Sequence, residues 1–238
     1  MTELSVIIVT FREKEEIDCV PIFESSDFDD YEIIIRDDEG ISKARNEGIK
    51  QANAQKMVFV DDDAIPDEGY LSAAADALDS HPVVVGNVVH PNDDIVSRLC
   101  SHYSQGARSK YTDTLIGCNM AFQSTVFDSV GYFDEDFEWG HDETELADRL
   151  QYEYPIFYEP RMRVEHPYAD SVPDYLMKKY RLGISDVKLH EKRGYPTYKK
   201  ILVMFHPAAY FHPTPLGALV RSAGRSAQNM GKIRSWLK

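Results

Sequence analysis

YEIIIRDDEGISKARNEGIKQANAQKMVFVDDDAIP, residues 31–66, holds two apolar runs that each end in aspartates, with a helical pattern between them. YEIIIR (31–36) and KMVFV (56–60) lack the polar–apolar alternation of a half-exposed strand, so each predicts a strand buried on both faces. Between them, Ile41, Ala44, Gly48 and Ala52 recur at helical spacing within ISKARNEGIKQANA (41–54), and Ile49 widens the stripe. Strands alternating with helices predict an α/β fold with a mostly parallel, doubly wound sheet. In such sheets ligands bind beyond the carboxyl ends of the strands, near a topological switch point.

The pattern continues on both sides. LSVIIVTF (4–11) predicts another buried strand, followed by a polar segment in which Ile17, Val20 and Phe23 line a short helix. Glu68 to Leu78 reads as an alanine-rich helix and PVVVGNVV (82–89) as a strand. The second half is less regular: TLIGCNMAF (114–122) predicts a strand, 126–150 an aromatic, acidic loop leading into a helix, YPIFYEP (154–160) and MRVEH (162–166) two strands, and 170–185 a helix. Three strand ends then carry polar groups toward one edge: Thr10 and Glu13, Asp37 and Asp38, and Asp61, Asp62 and Asp63. Scattered loop acids would not favour the same edge.

The 238 residues, 43% hydrophobic, suffice for a sizeable core. No apolar run approaches the ~18 to 20 residues of a membrane helix, and MTELSVIIVT lacks the basic region and cleavage site of a signal peptide. Cys19, Cys100 and Cys118 show no metal-ligand spacing and read as small buried hydrophobes, thiols suited to a reducing cytoplasm. The formal net charge of −14 argues against a nucleic-acid surface. The charge is uneven: Lys188 to Lys238 holds ten Lys or Arg and one acid, net +9, leaving 16 against 39, net −23, for residues 1–187. Two parts are therefore expected, an acidic domain (1–187) and a basic, apolar, helical C-terminal extension (188–238). Within the extension, 201–238 combines apolar runs with Arg221, Arg225, Lys232, Arg234 and Lys238. Both a segment lying on an anionic membrane face and a terminal helix folded back on the acidic domain fit that composition.

Adjacent carboxylates at Asp61 and Asp63 repel one another, and a shared divalent cation such as Mg²⁺ or Mn²⁺ relieves that repulsion. A solvated acidic turn before Pro66 is the plainer alternative. LSVIIVTFRE, EIIIRDDEG, GISKARNEGI, VFVDDDAIP, IGCNMAF, VGYFDEDFEWGHDETELADRL and VEHP, spanning residues 4–167, together resemble glycosyltransferase family 2, inverting enzymes with a GT-A fold that use nucleotide-diphosphate sugars. The resemblance implies that Thr10 and Glu13 contact the nucleoside, that Asp37 or Asp38 binds the base, and that Arg45 lies near the donor. It implies that Asp61 and Asp63 are the outer residues of a DxD motif binding ribose and the metal on the diphosphate. Asp62 would be the variable middle residue on the sugar side, and His166 a further metal ligand. The acceptor would be a glycan, such as a polyprenyl-linked sugar at the cytoplasmic membrane face.

Family members usually show Glu-Asp where this chain reads Asp142-Glu143, so the acid order is reversed. Aligning on Glu145-Leu146 puts Glu143 at the position of the catalytic base, with Asp142 beside it as base or as a helix-capping acid. Glu145 and Arg149, at i and i+4, read as a surface ion pair. RDDEG also runs directly into ISKARNEG, where the family usually inserts a further helix and strand that complete the nucleotide wall. A nucleotide-sugar-binding protein without turnover, and a nucleotidyltransferase, are the alternatives; the latter would show a Gly-rich basic loop after the first strand, and FREKEEID (11–18) has no glycine. His102, His190, His206 and His212 read as ordinary histidines. Tyr132, Phe133, Phe137 and Trp139 fit either an acceptor platform or packing against the sheet.

Overall fold

The computed structural model describes residues 2–26, 28–100 and 103–237, which form two compact units: residues 1–91, 102–138 and 142–166, and residues 92–101, 139–141 and 167–238. His102 lies outside the described residues.

The first unit is a mixed sheet with helices. Its described strands are β1 (Leu4–Val9), β2 (Tyr31–Arg36), β3 (Lys56–Asp61), β4 (Ile65–Pro66), β5 (Val83–Val89), β6 (Lys110–Thr112), β7 (Asn119–Gln123) and β8 (Ile156–Glu165). They are ordered β2-β1-β3-β7-β5-β8-β4, and β6 also pairs with β8. β2, β1 and β3 are parallel, as are β5 and β8, while β7 runs antiparallel between β3 and β5. The five long strands β2, β1, β3, β5 and β8 therefore share one direction, and β7, β4 and β6 oppose them. Helices α1 (Val20–Glu24), α2 (Ile41–Gln51), α3 (Tyr70–Ser80), α5 (Thr125–Val130) and α6 (Asp142–Leu150) belong to this unit. The alanine-rich α3 buries Leu71, Ala74 and Leu78, and Phe59, Phe122, Phe127 and Phe133 interlock with ring centroids 5.1–6.5 Å apart.

Two strand expectations change. TLIGCNMAF becomes strand only from Asn119, and the segments at 154–160 and 162–166 form one strand, β8, interrupted by a bulge. Pairing with β5 jumps from Gly86↔Glu159 to Asn87↔Arg163, so Pro160, Arg161 and Met162 are accommodated on one side only. Proline has no N–H for the ladder, which makes a bulge its natural place. The buried Asn119 amide closes the gap: its Nδ2 donates to Met162 O (2.8 Å) and Asn87 O (3.2 Å), and its Oδ1 accepts from Tyr70 (2.8 Å). A Cβ on Gly86 would lie 2.3 Å from both Asn119 Nδ2 and Met162 O, so only glycine fits there.

The second unit contains α4 (Ile95–Leu99), α7 (Val172–Lys192), α8 (Thr197–Met204) and α9 (Pro215–Trp236). α9 folds back along α7, and a Cβ on Gly183 of α7 would meet Gln228 O of α9 at 1.9 Å. Between these helices, buried Asp186 accepts from Gln228 (2.7 Å) and pairs with Lys232 (3.1 Å) and with His141 Nε2 (2.9 Å). Burial alone would raise the Asp186 pKa; His141 and Lys232 outweigh it and hold the carboxyl well below its usual range. Residues 187 and 188, where the composition changes, are consecutive within α7. Among the described residues no helix is long and apolar enough to cross a membrane.

Gly86→Ala should destabilise the chain by about 1–3 kcal/mol through overpacking at the bulge, read as a lowered urea midpoint at unchanged slope.

Candidate active site

Strand register assembles the site. Val9 of β1 stands level with Arg36 of β2 and Asp61 of β3, so Thr10, Asp37 and Asp62 emerge side by side at one sheet edge. Thr10 donates its hydroxyl proton to Asp62 Oδ2 and accepts from the Arg12 amide (2.9 Å); Arg12 Nε lies 3.4 Å from the same Asp62 oxygen. The middle aspartate is thus held toward β1. Asp38 is engaged by Arg36 (2.7 and 2.8 Å), while Asp37 and Glu13 are exposed.

The outer two aspartates face a different group. β7 runs against β3 with Asn119 opposite Val60, which brings Gly117 and Cys118 beside Asp61. Pairing of Ile65 on β4 with Glu165 on β8 delivers His166, whose amide donates to Val89 O (3.0 Å), to the same place. His166 Nε2 lies 3.0 Å from Asp63 Oδ1 and 3.6 Å from Asp61 Oδ2. Donor atoms of Asp61, Cys118 and His166 lie within 4.8 Å of one another. Burial raises the Asp61 pKa, and His166 and Arg45 oppose that rise. Burial likewise opposes a proton on His166, yet its pKa is raised well above the usual value. Its neighbours Cys118, Asp63 and Asp61 favour that proton and outweigh burial. A carboxylate, an imidazole and a sulfur grouped this closely, with Asp63 beside the imidazole, fit a divalent cation.

Arg45 on α2 links this cluster to α6. Its guanidinium, 3% exposed, pairs with Asp142 Oδ2, donates to Gly117 O (2.9 Å), and lies 3.8 Å from Asp61 Oδ1 and over the Phe133 ring. Burial opposes its charge, and Asp142, Asp61 and Glu143 more than compensate. Neighbouring residues on the same helix pin the loop before α6: Ser42 donates to Phe137 O (2.7 Å), and Asn46 bonds Phe133 through both its amide oxygen and nitrogen. Asp142 is 1% exposed, whereas Glu143 is partly exposed and accepts from Thr144 (3.1 Å).

Three readings are revised. Glu145 and Arg149 are not a surface pair: Glu145 is buried, and Arg149 grips it through Nε and Nη2 while also donating to Val130, Gly131 and Tyr132 carbonyls. Phe133 and Phe137 are buried packing residues, leaving Tyr132, half exposed and stacked on Phe127, outside any buried platform. Cys118, expected as a filler, adjoins the acid cluster because it stands just before a strand that pairs antiparallel with β3, a pairing no local sequence pattern signals. His190 stacks on Tyr195, and His212 Nδ1 accepts from the Thr214 amide (3.2 Å).

The sheet order, with its acids at the carboxyl edge, is that of a GT-A fold. Solved structures agree. The mannosyltransferase PcManGT from Pyrobaculum calidifontis, in complex with GDP-Man and Mn²⁺, superposes with a TM-score of 0.60 at 17% identity, covering 94% of this chain and 74% of that one. S. aureus TarS 1–349, in complex with UDP-GlcNAc, gives 0.54 at 15% identity over 76% and 66% of the two chains. Residues 24–131 match the Glycosyl transferase family 2 model. The glucosyl-dolichyl phosphate glucuronosyltransferase of Haloferax volcanii is 27% identical over 147 residues, 55% of this chain and 46% of the relative, so the chain spans about half that relative's length.

Removing Arg45 would leave the buried Asp142 carboxylate unpaired. Arg45→Met should therefore cost about 3–5 kcal/mol of stability, and adding Asp142→Leu should restore most of it in chemical denaturation.

Proposed function

We propose that this protein transfers a sugar from a nucleotide-diphosphate donor to a hydroxyl acceptor with inversion at the anomeric carbon. The observation that carries this reading is the meeting of Asp61, Asp63 and His166 at the carboxyl edge of the sheet, with Arg45 joining them to the start of α6. Asp61, Asp63 and His166 would hold the cation, Mn²⁺ or Mg²⁺ being the expected occupants. A bound cation would neutralise charge developing on the departing nucleoside diphosphate. Thr10, Glu13, Asp37 and Asp38 flank the nucleoside side of the edge, with Asp62 held by Thr10 and Arg12 between them and the cation site.

Glu143 is the base in this reading. A hydroxyl becomes an effective nucleophile only as a carboxylate removes its proton. Asp142 is committed to Arg45 inside the protein, whereas Glu143 is open to the acceptor side. Attack opposite the leaving diphosphate inverts the configuration.

The acceptor we assign is a lipid-linked saccharide on an anionic membrane face, the setting for a peripheral cytoplasmic enzyme. The second unit supports this. α8 and the start of α9 expose Tyr198, Ile201, Leu202, Phe205, Leu216 and Leu219, interspersed with Lys199, Lys200 and Arg221. Apolar side chains with interleaved cations match an interface of acyl chains and anionic headgroups. The Haloferax volcanii relative is named for a dolichyl phosphate-linked sugar substrate.

A screen of UDP-, GDP- and dTDP-sugars by thermal shift with and without Mn²⁺ should find a donor that raises the melting temperature, and anomeric analysis of the product should show inversion. Glu143→Gln should then lower kcat by about 10²–10⁴-fold with donor binding preserved; unchanged turnover would reject Glu143 as the base. Replacing Leu216 and Leu219 together by glutamate should abolish co-sedimentation with phosphatidylglycerol vesicles, and persistence of binding would reject the membrane surface.

A further inference from the structure

Among the three buried thiols, Cys118 has distinct surroundings. Burial pushes Cys19 up to about 12 and Cys100 up to about 11, and neither joins a cluster of donor atoms among the described residues. Cys118, 8% exposed, places its sulfur within 4.8 Å of donor atoms of both Asp61 and His166. Asp63 Oδ1 lies 3.0 Å from His166 Nε2. Three donors, one oxygen, one nitrogen and one sulfur, thus meet from the end of β3, the residue after β8 and the residue before β7, with Asp63 in the turn after β3 adding a second carboxylate beside His166.

We propose that Cys118 is a direct, thiolate ligand of the cation held by Asp61, Asp63 and His166, which makes this site prefer Zn²⁺ or Co²⁺ over Mg²⁺. The proposal rests on the cation site of the preceding section and is independent of whether sugar is transferred. Mg²⁺ takes oxygen ligands and keeps much of its water, so carboxylates alone would suit it. A sulfur and an imidazole add little for Mg²⁺ but much for borderline cations, which bind thiolate at about 2.3 Å and imidazole at about 2.0–2.1 Å. On binding, the S–H bond of Cys118 breaks as the sulfur–metal bond forms, His166 Nε2 gives up its proton to coordinate, and both protons pass to solvent. No electron is transferred and no co-reactant is required.

The test uses the full chain, reduced and metal-free, titrated anaerobically with Co²⁺. One equivalent should produce the near-ultraviolet charge-transfer absorption of a thiolate–Co²⁺ bond. Cys118→Ser, close in shape, should remove that absorption while Co²⁺ still binds in competition with a chromogenic chelator. Its Zn²⁺ affinity should fall about 10–100-fold or more, taking the range for changed metal-site partners as a floor, with Mg²⁺ affinity little altered. Cys100→Ser should leave the absorption intact, and circular dichroism with melting curves should show both variants folded. If the wild type binds Co²⁺ without the absorption, binds none, or keeps the absorption in Cys118→Ser, the proposal is overturned. Sugar transfer is assayed separately: intact absorption without transfer would count against the proposed reaction, and transfer without the absorption against the thiolate.

Discussion

A single buried cation constrains this site. The Arg45 guanidinium lies almost wholly out of water, and an unpaired charge in that position would cost several kcal/mol. Its partners are therefore obligatory: Asp142 at the start of α6, the Gly117 carbonyl in the turn before β7, and Asp61 at the end of β3. Three segments distant in sequence are held at one point by one side chain. The same helix face adds Ser42 and Asn46, which fasten the loop of residues 133–138. α2 therefore works on both sides, with Ala44 and Ile49 buried in apolar contacts and a polar row anchoring the approach to α6.

That arrangement explains how three consecutive aspartates are tolerated. The outer two share one partner and the middle one has others: Asp61 is directed toward Arg45 and His166, Asp63 toward His166, and Asp62 toward Thr10 and Arg12. Mutual repulsion is met by two cations on one side and by a hydroxyl and a third cation on the other. β3 ends at Asp61, and a turn closed by the Ala64 amide donating to Asp61 O (3.1 Å) presents Asp62 toward Thr10 and Asp63 toward His166. A dense acidic sequence thereby becomes a two-carboxylate site, with the third carboxylate serving the neighbouring strand.

Much of this was legible in the residues. β1, β2, β3 and α2 follow from apolar runs and helical spacing because they are local patterns, and the convergence of strand-end acids follows from parallel pairing. The illegible parts depend on pairing between distant segments. Nothing local in TLIGCNMAF indicates that strand begins only at Asn119 or that it runs against β3, and those two facts put Cys118 beside Asp61. Pro160 reads as the end of a strand, yet a bulge closed by Asn119 carries β8 through it. Glu145 and Arg149 have the spacing of a surface pair; only the three loop carbonyls waiting for the guanidinium make them a buried fastening.

The reversed acids, Asp142 before Glu143, take on meaning from the same constraint. A carboxylate at the first residue of α6 is the one within reach of Arg45, and the shorter aspartate fills that enclosed position. The next residue along a helix is rotated by about 100°, so a carboxylate there leaves the pairing and turns to a partly exposed direction. Exchanging the two side chains would place the longer glutamate into the enclosed contact with the guanidinium, where an extra methylene has to be packed. The order of the two acids is thus tied to the enclosed contact with Arg45: the first residue of α6 pairs with the guanidinium, and the second faces a partly exposed direction.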